Sequence, residues 1–198
     1  MKRENAVRHL VEMAAQASDD TRLRQESSEW SLTSMWAAGD LVSDARTLEW
    51  VGVVLVFDLP PDELPWLALH PAAELVADRL RLDKRPVVWC HRPSAWPAWN
   101  VRHRRVVRFW TDAGGLDEKA IDVLCADSVT PVVEPTADEL RAQLLVEREV
   151  ARTHLDEVLD RYHEHAWRRE HKGQGTYPED HLWRASRALR EIDHAVNG

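Results

Sequence analysis

The chain has 198 residues, a formal net charge of −8, 44% hydrophobic and 30% charged residues, and only 7 glycines. This balance excludes disorder, collagen-like repeats and a pure coiled coil, and suits one compact domain or one domain with a helical appendage. No run of about 18 apolar residues occurs, and Met1-Lys2-Arg3-Glu4-Asn5 leads into an amphipathic stretch, so neither a membrane span nor a secretory signal is expected and the chain reads as cytoplasmic.

Residues 4–17 space Ala6, Val7, Leu10, Val11, Ala14 and Ala17 as one face of a helix. A polar stretch, 18–29, separates it from two strands at 31–38 and 48–57. The second is almost unbroken apolar and β-branched, which suits a central strand covered on both faces. Asp58-Leu59-Pro60-Pro61-Asp62 ends it. A helix follows within 71–82, carried by Ala72, Leu75, Val76 and Leu80, and Arg85-Pro86 introduces a third strand at 87–90. Residues 92–100 form a proline-punctuated loop, 105–110 a strand or short helix, and 117–124 another helix.

Two prolines and β-branched residues make 128–135 an extended connector. Thr136-Ala137-Asp138-Glu139 then matches a capping box. The helix it opens keeps Leu140, Leu144, Ala151, Leu155, Val158, Tyr162 and Ala166 on one stripe to about residue 169; Lys172-Gly173 breaks it and Pro178 opens the last helix. The expected fold is α/β (α+β), a mixed β-sheet flanked by helices, with an α/β domain at 1–127 and a C-terminal helical hairpin at 136–198. The hairpin's stripe packs on the first domain or on a second copy of the chain.

Ten tryptophans stand against two phenylalanines and two tyrosines, and eight of the ten fall between residues 30 and 110, which marks the denser core. Cys90 and Cys125 have no CxxC partner and read as small buried hydrophobes. From Arg79 to Arg108 nine basic residues face one acid, Asp83, leaving the rest of the chain at −16. Such a segment can line an anion or nucleic-acid site, or dock on the acidic C-terminal helices. Its loop interleaves Trp96 and Trp99 with Arg102, Arg104 and Arg105, the ingredients of base stacking or nucleobase capture.

The succession of helix, strand, Met35-Trp36-Ala37-Ala38-Gly39-Asp40, short connection, and strand entered by Arg46-Thr47-Leu48-Glu49-Trp50-Val51 resembles the nucleotidyltransferase superfamily in its minimal form, over about residues 4–111. The resemblance implies a glycine turn followed by two carboxylates, one residue apart, that hold two magnesium ions. Here Asp40 stands in place of the turn serine and Thr47 in place of the first carboxylate, which leaves Glu49. A period of two puts Thr47, Glu49 and Val51 on one strand face, so Glu49 has no acidic neighbour there, and the third strand supplies His91 instead of an acid. The resemblance therefore implies a non-catalytic relative without a resident metal. It would bind a nucleotide or other anionic ligand in a cleft bordered by Asp40, Glu49, His91 and the basic loop, with Trp96, Trp99, Arg102, Arg104, Arg105 and His91 as the ligand-binding set.

Two alternatives stand beside it. One is an active, Mg²⁺-dependent nucleotidyltransferase using Asp40, Asp44 and Glu49; the other is an interaction module pairing with a protein or a second copy through the C-terminal helices. Tyr162-His163-Glu164-His165, with His171 and His181 beyond it, invites a zinc reading, but His163 and His165 are two apart on a helix and point away from each other, so no metal site is expected there.

Overall fold

The computed structural model describes residues 1–24, 30–43, 48–126, 132–173 and 176–198. Asp44, Thr47 and the first part of the connector lie outside them. The elements are α1 (Arg3–Arg24), β1 (Leu32–Gly39), a 3-10 turn (Asp40–Val42), β2 (Val51–Phe57), α2 (Pro71–Arg79), β3 (Val87–Pro93), β4 (Val107–Thr111), β5 (Gly115–Leu116), α3 (Glu118–Cys125), α4 (Ala137–Arg161), α5 (His165–Glu170) and α6 (Pro178–Asn197). The sheet is mixed, in the order β3-β2-β1-β4-β5. β2 lies antiparallel to β1 and parallel to β3, with Leu55 opposite His91, because α2 carries the chain back between them.

All seven residues of β2 are buried, as a central strand covered on both faces requires. On one face Val51, Val53, Leu55 and Phe57 meet Met35, Ala37, Val107 and Phe109 under α1, α2 and α3. The buried stripe of α1, Ala6, Val7, Leu10, Met13, Ala14 and Ala17, follows helical spacing, but the helix runs on to Arg24, through part of the expected polar separator. On the other face Val54, Val56 and Ala38 meet Leu140, Leu144 and Ala151 of α4 and Ala188, Ile192 and Val196 of α6. The hairpin thus forms the second layer of the sheet. Gly52 is required where it stands: a Cβ there would lie 2.9 Å from the Cβ of Ala38.

The hairpin starts as its sequence predicts. Thr136 Oγ1 accepts from the Glu139 amide at 3.2 Å and the Thr136 amide donates to Glu139 Oε2 at 2.8 Å. The expected continuous helix to residue 169 is instead broken after Arg161. The chain turns at Tyr162 and restarts as α5, which buries Trp167 against Leu155 and Leu182. β3 extends three residues past its expected end, and 105–110 resolves as a strand, β4. Cys90 is buried as expected, whereas Cys125 is exposed because it ends α3 at the surface. No helix among the described residues is long and apolar enough to cross a membrane.

Candidate functional site

The basic segment is consumed largely within the molecule. Arg85 donates to Glu12 of α1 at 2.6 Å, Arg79 pairs with Asp20, and Lys84 lies 2.6 Å from Asp83. Arg92, on β3, makes two hydrogen bonds to Glu147 of α4, at 2.7 and 2.6 Å, with both side chains 1% exposed. Its Nε donates to the Pro97 carbonyl at 3.0 Å and its guanidinium lies 5.2 Å from the Trp96 ring, so the proline loop is folded back onto this pair. Arg102 makes a second two-bond pair with Glu191 of α6, at 2.9 and 2.6 Å, and lies over Trp66 at 5.4 Å. Arg105 lies 3.5 Å from Glu134.

Of the expected ligand-binding set, then, Trp99 is buried in the core beneath the hairpin, Trp96 is half-buried under Arg92, and Arg102 and Arg105 face carboxylates. Arg104 is exposed. Glu49 is not on a strand: β2 begins at Val51, and Glu49 occupies the bend before it, exposed. The reason is Asp40, whose carboxylate accepts from the Glu49 amide at 2.8 Å and the Trp50 amide at 3.4 Å and so ties the bend to the 3-10 turn. Asp40 is therefore engaged as a backbone acceptor. Glu49 lies before the start of β2 whereas His91 pairs with Leu55 near its other end, roughly 20 Å along the strand at ~3.3 Å per residue. The cleft expected to join Asp40, Glu49 and His91 is not assembled. Among the described residues no three His, Cys, Asp or Glu side chains converge as a metal-binding group.

His91 does line a cavity, at the free edge of β3. Its volume is about 320 Å³, and Trp89 and Cys90 of β3, Trp66, Leu67 and Ala68 of the segment before α2, Glu74 of α2 and Arg184 of α6 complete it. The 66–68 wall is held from two sides. Trp66 Nε1 donates to Glu191 at 3.2 Å, and the Ala68 amide donates to the Pro65 carbonyl at 3.0 Å, closing a turn. That turn holds Leu67 at a φ of 61°, a left-handed conformation that costs a residue with a side chain about 1–3 kcal/mol. Backbone strain of this kind persists where the surroundings impose it, here on a cavity wall.

The chemistry of the lining is specific. His91 is 7% exposed, and burial pushes its pKa down to about 4, reinforced by His70, Arg92 and Arg184. Its Nε2 is buried without a hydrogen-bond partner. Burial raises the Glu74 carboxyl and Arg184 opposes the rise. No ion pair engages Arg184 among the described residues. Burial pushes the Cys90 thiol up to about 12, and Asn100 donates to its Sγ at 3.7 Å. At neutral pH Cys90 is a thiol, not a nucleophile.

A family model described as a domain of unknown function, DUF7711, matches residues 1–197. The chain belongs to this family. No curated protein and no solved structure matches it.

Sequence reasoning singled out His91 but missed the rest of this DUF7711 cavity, since Leu67, Glu74 and Arg184 lie on three segments with no common spacing. Two of the histidines considered for zinc, His171 and His181, meet at the hairpin tip. His171 stacks on Trp167 at 4.2 Å and meets His181 edge-on at 4.6 Å, while burial, with His171 and His154, pushes His181 down to about 4. His163 and His165, two apart with Glu164 between them, are exposed.

Proposed function

We propose that this chain is a non-catalytic binding protein for a small anionic ligand, held in the cavity beside β3 on a nucleotidyltransferase-like framework. The observation that carries the reading is Arg184, a guanidinium that lines the cavity and that no carboxylate neutralises by an ion pair among the described residues. A guanidinium without an ion-pair partner, set among indole and aliphatic walls, is the kind of polar group that orients an anionic ligand. Binding rather than catalysis is supported by the protonated Cys90 thiol and by the engagement of Asp40 with backbone amides, at the position where the resemblance calls for a metal-binding turn. The order α1, β1, Gly39-Asp40 turn, β2, α2, β3 supports the framework.

The test is a thermal-shift screen of the full chain against nucleotides and small carboxylates and phosphates, each with and without Mg²⁺, since a ligand of the folded state alone raises its stability. Metal-independent stabilisation that is lost in Arg184→Gln is expected. Stabilisation only in the presence of Mg²⁺ would favour an active nucleotidyltransferase using Asp40, Asp44 and Glu49. No stabilisation by any anion would overturn the reading.

A separate observation favours a second reading, association through the hairpin. Trp183 is 58% exposed beside an open apolar groove that Leu155 and Leu189 also line. Light scattering of the wild type and Trp183→Ser tests it; equal monomer masses would remove it.

A further inference from the structure

The charges that line the His91 cavity point to what the ligand carries besides its anionic group, on the footing of the anion-binding reading above. Glu74 of α2 and Arg184 of α6 are the acid and the guanidinium of the lining, and they reach it from different elements. The other two titratable groups there are neutral at pH 7, His91 because burial pushes it down to about 4 and Cys90 because burial pushes it up to about 12.

Neither charge is spent inside the molecule. Among the described residues no ion pair engages the side chain of Glu74 or of Arg184, and the two do not pair with each other. Their helical neighbours are already engaged. Asp180 stands one turn before Arg184, the spacing of a helical ion pair, but its carboxylate accepts from the Tyr177 amide at 2.8 Å and caps α6. Arg79, the cation that ends α2, pairs with Asp20 of α1. Glu74 and Arg184 are nonetheless near enough to feel each other, since Arg184 opposes the rise that burial imposes on the Glu74 carboxyl. The remaining walls, Trp66, Leu67, Ala68 and Trp89, are apolar, and Glu191 fixes the Trp66 indole.

A ligand that is only an anion satisfies Arg184 and sets its charge against Glu74; a ligand that is only a cation does the reverse. We infer that the ligand is an α-amino acid with an apolar side chain, its carboxylate on Arg184, its ammonium on Glu74 and its side chain against the indole and aliphatic walls. An α-amino acid holds both charges at one end of an apolar body, as the lining holds both of theirs at neighbouring positions beside indole. The guanidinium suits the carboxylate because it can donate two parallel hydrogen bonds, and the ammonium brings donors to a carboxylate that has none. The site binds the amino acid without a chemical step.

Titration calorimetry of the full-length chain tests this with leucine and phenylalanine, their deamino analogues 4-methylpentanoate and 3-phenylpropanoate, the amines 3-methylbutylamine and 2-phenylethylamine, and inorganic phosphate and UMP. At least one of the amino acids is expected to bind about tenfold or more tighter than its deamino analogue, the size of one charge-assisted hydrogen bond. Glu74→Gln removes most of that preference and leaves the deamino acid bound as well as before or better, whereas Arg184→Gln weakens amino acid and deamino acid alike. Equal affinities for amino and deamino acids, or a preference that Glu74→Gln leaves unchanged, would overturn the amino-acid inference while leaving the anion-binding reading intact. Binding of phosphate or UMP with neither amino acid bound would do the same. Amines that bind as tightly as the amino acids would overturn both, because the carboxylate would then play no part. Binding of none of the probes would overturn the inference and sink the proposed function with it.

Discussion

Acidifying the protein from pH 7 toward pH 4 removes stability through two imidazoles buried in their neutral form. His91 is 7% and His103 6% exposed, and each is pushed down to about 4 from 6.5. Burial is the main cause for both. His70, Arg92 and Arg184 add to it at His91, and Arg102 adds to it at His103, which lies 5.7 Å from the Trp50 ring. Above 6.5 neither the folded nor the unfolded chain takes up a proton at these positions, so stability is flat with pH. Between 6.5 and about 4 the unfolded chain binds two protons that the folded chain excludes. Two protons correspond to a slope of about 2.7 kcal/mol per pH unit. Across the whole window the loss reaches about 7 kcal/mol, comparable with the 5–15 kcal/mol that holds a typical domain folded. Burial shifts His70, His154 and His181 in the same direction, and the raised carboxyl of Glu74 acts against them. Urea titrations followed by tryptophan fluorescence at a series of pH values measure the slope. The unfolding free energy is expected to hold steady above about pH 7 and fall steeply below about pH 6. His103→Gln should remove about half of the two-histidine contribution. A wild-type unfolding free energy unchanged between pH 7 and pH 5 would refute the reasoning.

Two other outcomes are expected. Glu147→Ala leaves the Arg92 guanidinium buried without its carboxylate and should cost about 3–5 kcal/mol in urea unfolding, whereas Arg92→Leu with Glu147→Leu should recover most of that loss. Iodoacetamide should label Cys125 in the native protein within minutes and leave Cys90 unmodified until urea unfolds the chain, as mass spectrometry of tryptic peptides would report.

The strongly basic middle of the chain serves to clamp layers together: Arg85 holds α1, Arg92 holds α4 and Arg102 holds α6. The Arg92 pair is fully desolvated, so its value lies in registering α4 against β3 rather than in net stability. The Arg102 pair is partly exposed and also fixes Trp66, through Glu191, as one wall of the His91 cavity. Loss of Glu191 would therefore reach the cavity without touching its polar groups.

Local pattern by itself determined much of this protein. The stripe from Ala6 to Ala17 makes α1, the all-apolar run through Phe57 makes β2 the covered strand, and Thr136 with Glu139 starts α4, because each depends on neighbours within a few residues. His91 was singled out because it stands on the third strand, where the nucleotidyltransferase resemblance calls for an acid. The partners were not legible. Arg92 and Glu147 are 55 residues apart and Arg102 and Glu191 are 89 apart, and periodicity reports which face of an element is apolar without saying which element it meets. Glu49 fell off its expected strand for the same reason: the Asp40 carboxylate, nine residues earlier, holds the bend that delays β2. The cavity itself exists only in the tertiary structure, since the edge of β3, the turn at Leu67, Glu74 of α2 and Arg184 of α6 become neighbours only when the hairpin closes over the sheet.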